Sequence, residues 1–173
     1  MKAEEVIISR EVWGSKDLVY PTAIQKLKYI TIHHSGEIFN SGKDVAQYLR
    51  NLQSWSIKEK NWIDIPYHYL IDLTGKIYEA RPLNIAGDTN TNYDPEGHIL
   101  ISLLGNYEVQ QVNSAQLKAL SGLIATLAEK HKIPLDKIAS HKDYSDETVC
   151  PGKNLYDLLK NDTLVKLIKP SNP

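Results

Sequence analysis

The sequence predicts an α/β (α+β) domain in which a sheet is covered by helices, and three observations lead there. Short runs rich in Ile, Leu and Tyr alternate with helical patterns in mixed order, as expected when strands and helices share one core. Two of those runs, Tyr67–Leu73 and Lys76–Ala80, are joined by Thr74-Gly75, which reads as a hairpin. One long segment, Ala115–Lys132, repeats apolar residues at spacings of three and four, the period of an α-helix.

Taken in chain order, Lys28–His34 (Lys-Tyr-Ile-Thr-Ile-His-His) has the β-branched and aromatic content of a strand. Lys43–Leu52 follows as a helix with Val45, Leu49 and Leu52 on one face. After the hairpin, His98–Leu104 is the next strand. The helix Ala115–Lys132 begins after Ser114 as N-cap. Its Leu117, Leu120, Ile124 and Leu127 form one apolar stripe that belongs to a core packed on the sheet, not to a binding box. Ile138–Ser140 makes a last strand and Leu155–Lys160 a last short helix.

No low-complexity linker or internal repeat divides the 173 residues, so residues 1–173 are expected to form a single domain. With 42% hydrophobic and 24% charged residues the chain can bury an ordinary core. The net charge is -1 and the 20 basic residues are dispersed, which excludes the electrostatic footprint of a nucleic-acid-binding protein. No segment approaches transmembrane length. The first ten residues lack the apolar stretch of a secretory signal. A single cysteine, Cys150, permits no internal disulfide and leaves its thiol free for metal or redox chemistry.

That cysteine is the most informative residue type in the chain. A free cysteine is usually a small buried hydrophobe. Cys150, however, sits in a polar stretch, Asp-Glu-Thr-Val-Cys-Pro-Gly-Lys, with little apolar company, and reads as a loop ligand. His33, His141 and Cys150 together offer one Zn²⁺ two imidazoles and a thiolate, leaving the fourth tetrahedral position for water. His141 and Cys150 are close enough in sequence for one loop to return the sulfur to the imidazole; His33 must arrive through the fold. Successive strand side chains point to opposite faces, so His33 and His34 cannot both face one site. Parity alone does not say which face carries the pocket. Tyr67 by itself is most simply a half-buried packing residue, and Thr148 a turn residue whose hydroxyl satisfies local backbone.

The motifs in combination resemble the zinc amidases of peptidoglycan, the family that includes phage lysozyme-type amidases and peptidoglycan recognition proteins. The match takes in Ser9-Arg10-Glu11-Val12-Trp13-Gly14, Ile32-His33-His34-Ser35, Trp62-Ile63-Asp64-Ile65-Pro66-Tyr67-His68-Tyr69-Leu70-Ile71 and Gly75-Lys76-Ile77-Tyr78-Glu79-Ala80-Arg81. It continues through Leu104-Gly105-Asn106-Tyr107, Ser140-His141-Lys142-Asp143 and Cys150-Pro151-Gly152. Each motif is weak alone; their order and spacing make the resemblance specific.

The resemblance implies a central mixed β-sheet flanked by helices, with zinc at the floor of a groove. It makes His33, His141 and Cys150 the metal ligands, and Tyr67 and Thr148 catalytic residues beside them. His34 and His68 are then expected at the substrate, His68 also as a possible carrier of the leaving-group proton. The implied reaction is hydrolysis of the amide between the lactyl group of N-acetylmuramic acid and L-alanine. The substrate partner is peptidoglycan or a muropeptide, the protein acts outside the cytoplasm, and a monomer is expected. Two alternatives share the groove: a non-catalytic peptidoglycan-binding module, and a zinc peptidase cutting within the stem peptide. The chain departs from the family pattern at Gly87-Asp88-Thr89, where a Gly-x-His stretch is usual, and at His98-Ile99-Leu100-Ile101. Its His-to-Cys interval is also one residue longer than the common one.

Overall fold

Six strands form one mixed sheet in the order β1 (Ile7–Ile8), β4 (Ile77–Glu79), β3 (Tyr69–Ile71), β5 (His98–Leu103), β2 (Tyr29–His34) and β6 (Ile138–Ser140). The computed structural model of the chain describes residues 6–168. Only the hairpin pair β3–β4 is antiparallel, with Leu70 opposite Tyr78; every other neighbouring pair is parallel. Gly75 takes the turn with a φ of 83° in the left-handed region, as the Thr74-Gly75 signal predicts.

The sheet is covered on both faces, which is why its middle strands read as near-continuous apolar runs; all six residues of β5 are buried. Ile30 and Ile32 of β2, with Ile99, Ile101 and Leu103 of β5, pack on one face. They meet Leu120, Leu123, Ile124 and Leu127 of α3 (Ser114–His131), together with Leu155 of α5 (Lys153–Lys160) and Leu164 of α6 (Thr163–Ile168). Leu70, Tyr78 and Leu104 pack on the other face, with Trp13 of α1 (Arg10–Trp13) and Leu49 of α2 (Val45–Lys58). Fully burying one such aliphatic side chain is worth about 1.5–3 kcal/mol.

The predicted apolar stripe lies in the first of these cores, Leu117 at its edge. One detail is corrected. Asn113 is the N-cap of α3, its side chain accepting the Gln116 N–H, and Ser114 is the first helical residue. Both are good caps by type; the extended backbone of Asn113 (ψ 166°) decides between them. Helix α2 runs six residues beyond Leu52. Its buried face continues there through the polar Gln53 and Ser56, which hide the apolar period. Gln53 is buried because its amide donates to Asp64 (2.9 Å) and Ser15 (3.0 Å).

Asp64 explains two of the sequence motifs at once. Fully buried, it accepts hydrogen bonds from Arg10 (2.7 Å), Tyr20 (2.7 Å) and Gln53, and so ties the Ser-Arg-Glu-Val-Trp-Gly segment to the strand entry before β3. Trp13 Nε1 donates to the Glu79 carbonyl at 2.7 Å on the same side. Among the described residues no helix is long and apolar enough to cross a membrane.

Candidate metal centre

The site begins with strand parity. On β2, Ile30 and Ile32 turn into the core under α3, so Thr31 and His33 turn to the opposite face. His33 is 2% exposed near the C-terminal end of the strand, where a groove of about 1030 Å³ opens. The parallel neighbour β6 ends at Ser140, in register with Ile32. Ser140 then caps the short helix α4 (His141–Tyr144): the Asp143 carboxylate accepts from both the backbone N–H and the hydroxyl of Ser140, at 2.8 Å each. This fixes His141 as the first residue of α4, beside His33, with the two rings 4.7 Å apart.

From α4 the chain loops out and returns with Cys150. The Lys142 N–H donates to the Cys150 carbonyl (2.9 Å), closing the loop on itself. The His34 N–H points at the sulfur (3.4 Å), and the sulfur lies 3.6 Å from His33 Nδ1. Gly152 holds the far side. Its φ is 87°, and a Cβ there would meet the Tyr107 carbonyl carbon at 2.4 Å, so only glycine lets the Cys-Pro-Gly segment lie this close to Tyr107.

His33, His141 and Cys150 each offer a ligand atom, and these atoms all lie within 4.8 Å of one another. Tetrahedral ligation with Zn–N near 2.0 Å and Zn–S near 2.3 Å separates neighbouring donors by roughly 3.5 Å. The Nδ1–Sγ distance already matches, and the remaining contraction is about an ångström. The donor chemistry fits as well: two imidazoles and a thiol suit zinc, whereas calcium and magnesium require oxygen.

The electrostatics make these groups neutral and ready for a cation. Burial, followed by the neighbouring His141, holds His33 well below the usual histidine range. Burial takes His141 down to about 4, with His34 adding to the effect. The Cys150 thiol is pushed up to about 12 by burial, against a smaller opposing pull from the His34 N–H. A metal entering this site therefore displaces one proton, that of the thiol.

Tyr67 lines the groove with its ring centre 5.2 Å from that of His33. Burial raises its pKa, so the hydroxyl keeps its proton. Thr148 also lines the groove, and its Oγ1 accepts the Cys150 N–H at 3.0 Å, the turn-satisfying bond expected of a loop threonine. His34, the last residue of β2, also lines the groove, so the parity expectation that it and His33 cannot both face one site does not hold at the strand end; its Nδ1 accepts the Tyr107 N–H (3.1 Å).

His68 is a correction. Fully buried, it is not among the groove-lining residues: its Nδ1 accepts the Leu100 N–H (2.9 Å) and its Nε2 donates to the Ile85 carbonyl (2.8 Å). Its ring is thus held between the backbone of Leu100 and that of Ile85.

The groove also contains residues for which the motifs implied no role, although Trp62 opens one of those motifs. Trp55 and Trp62 meet edge to face with ring centres 6.0 Å apart, and Tyr48, Asn51 and Leu52 of α2 join them in the lining. Thr89 and Thr91 lie against His141, and Tyr93 against His33. The only sequence signal for this stretch was the departure from the family pattern at Gly87-Asp88-Thr89.

With this geometry in hand, three comparisons with known proteins agree. The family model described as N-acetylmuramoyl-L-alanine amidase matches residues 23–153. Peptidoglycan-recognition protein SC2 of Drosophila melanogaster is 32% identical over 156 residues, which cover 89% of this chain and 84% of that protein. Peptidoglycan recognition protein 1 of Bos taurus is 28% identical over 158 residues, covering 89% and 82%. The crystal structure of Drosophila peptidoglycan recognition protein SD superposes with a TM-score of 0.79 at 27% identity, covering 91% of this chain and 94% of that one. A human PGRP-IBETAC structure in complex with glycosamyl muramyl pentapeptide superposes with a TM-score of 0.78 at 28% identity, covering 89% and 94%.

Proposed function

The chain belongs to the N-acetylmuramoyl-L-alanine amidase family, and from that premise we propose that it is a zinc-dependent amidase that hydrolyses the bond between the lactyl group of N-acetylmuramic acid and the L-alanine of the stem peptide. The observation that carries the reading is the convergence of His33, His141 and Cys150, drawn from β2, α4 and the following loop, on the floor of one groove beside Tyr67. A module that only grips its ligand has no use for a buried thiol with two buried neutral imidazoles around it.

His33, His141 and Cys150 would hold a Zn²⁺, which when bound would supply Lewis acidity, enough to bring the pKa of water from about 15.7 toward ~7 and to polarise a carbonyl oxygen. The protein's own residues do the rest. The walls, with Trp55, Trp62 and Tyr48, bind the muropeptide and orient the lactyl carbonyl over the floor. Tyr67, kept protonated by burial, donates its hydroxyl to the oxygen on which negative charge develops. Thr148, whose oxygen is engaged by the Cys150 N–H, holds the ligand loop and has its own hydroxyl proton left for the same oxygen. His34, at the groove edge, faces the bound muropeptide. Water adds to the carbonyl, the C–N bond breaks, and the amine leaves with a proton as the new N-terminus of the peptide. Such a substrate lies outside the cytoplasm, and so would the enzyme.

The reading is tested by metal removal. Chelation should abolish release of amino groups from purified muropeptide, and one equivalent of Zn²⁺ per chain should restore it. Sedimentation with insoluble wall that persists after chelation, with no amine released by the zinc-loaded protein, would favour the binding module instead.

A further inference from the structure

We propose that the loop 89–93, which contributes no metal ligand, fixes the ring tautomers of both ligand histidines, so that each turns Nδ1 to the metal and keeps its proton on Nε2; this rests on the amidase reading above. His141 Nε2 lies 2.7 Å from Thr91 Oγ1 and 3.3 Å from Thr89 Oγ1. His33 Nε2 lies 3.4 Å from the Tyr93 hydroxyl, while its Nδ1 faces the Cys150 sulfur at 3.6 Å. Three hydroxyls from one five-residue stretch thus cover the Nε2 edge of both rings.

A neutral imidazole has one N–H and one lone pair, and whichever nitrogen is engaged by a partner decides where the proton resides. Thr89 Oγ1 accepts from the Thr91 backbone N–H at 3.2 Å, and the two hydroxyl oxygens are 2.9 Å apart, so either hydroxyl of the pair can donate to the other. With the Thr91 hydroxyl donating to Thr89, its oxygen accepts the His141 Nε2 proton, and the Nδ1 lone pair is left for the metal. Groups that take the second N–H of a metal-bound histidine orient the ring and raise its basicity, and losing one typically weakens metal binding 10–100-fold.

The loop is itself held at both ends. Buried Arg81 donates to the Ala86 carbonyl (2.6 Å) and to the Asp88 carboxylate (2.7 Å) at its entry. Asn92 is tied twice to the His141–Cys150 segment: its N–H donates to Glu147 (3.0 Å), and its side-chain oxygen accepts from Ser145 (2.9 Å). Tyr93 is stacked on Tyr144 with ring centres 5.4 Å apart. Thr91 and Tyr93 are therefore positioning residues built into a braced loop, at the place where the sequence departs from the family pattern.

The test uses the full chain and Zn²⁺ alone. Zinc affinity, measured by competition with a chromophoric chelator, should fall about 10–100-fold in Thr91→Val and recover in Thr91→Ser. Long-range ¹H–¹⁵N spectra of zinc-loaded wild type with labelled histidine should show His33 and His141 protonated at Nε2 and bound through Nδ1. A Thr91→Val affinity within twofold of wild type overturns the proposal, as does a spectrum with His141 bound through Nε2. The spectrum needs no variant, so a misfolded Thr91→Val does not remove the test. Wild type that takes up zinc and hydrolyses muropeptide while failing these tests sinks only the loop assignment; wild type that takes up no zinc sinks the amidase reading with it.

Discussion

His33 and His34 are neighbours in sequence with different fates, although both line the groove. His33 lies with His141 and Cys150 in the cluster proposed to hold the metal, and His34 caps the Tyr107 N–H. The residues alone offered a thiol in a polar Cys-Pro-Gly loop as a candidate ligand, but parity did not choose between His33 and His34; that choice came from the family resemblance. The fate of His68 was not legible, because the groups that enclose it come from Leu100 and Ile85, segments whose position only the fold decides. Two predictions belong at this scale. Tyr67→Phe should lower kcat roughly 100-fold, the usual loss for one oxyanion donor, and leave zinc affinity within twofold; steady-state kinetics beside a chelator titration would show it. Zinc affinity should rise about tenfold per pH unit across the neutral range, because burial holds His33 well below the usual histidine range and His141 at about 4, so that only the thiol, near 12, has a proton to lose. A slope of two in that titration would mean that a histidine is also being deprotonated.

Among the helices, the longest was the most legible and the shortest were not legible, while the three-residue strands β3, β4 and β6 were all read. Periodicity needs several turns to register, so α3, with four apolar residues in phase, was clear from sequence alone, whereas β1, α1, α4 and α6, of two to six residues, were not. Helix α2 was read short because buried Gln53 and Ser56 interrupt its apolar face, and the reason for their burial, Asp64, lies outside the helix. Capping of α3 can be checked directly: Asn113→Ala should cost about 1 kcal/mol of unfolding free energy in urea, while Ser114→Ala should cost markedly less. The Cys-Pro-Gly loop is more demanding. Gly152→Ala puts a methyl group into the Tyr107 backbone at a left-handed φ, so it should displace Cys150 and reduce zinc affinity more than it lowers the melting temperature.

For the molecule as a whole, the mixed sheet places the C-terminal ends of β2 and β6 side by side, and the closeness of His33 and His141 follows from that pairing. The order of strands was not legible, because nothing in a strand's own composition names its neighbour; only the hairpin β3–β4 declares itself locally. The fold also buries histidines that the unfolded chain would expose. Burial takes His68 and His98 down to about 4, against the ordinary 6.5. Above pH 6.5 both states leave them neutral; as pH falls from 6.5 toward 4 the unfolded chain takes protons that the native state refuses, so stability should drop across that window. Melting temperatures at pH 7.5, 5.5 and 4.5 should fall in that order, and a flat series would mean that these rings are charged in the native state. The proposed activity itself is best judged by mass spectrometry of purified peptidoglycan digested by the zinc-loaded protein, with Cys150→Ser as control. Intact stem peptides beginning with L-alanine, released by wild type only, are the expected products. Fragments cut within the stem peptide, or the same products from Cys150→Ser at the wild-type rate, would contradict a zinc amidase built on His33, His141 and Cys150.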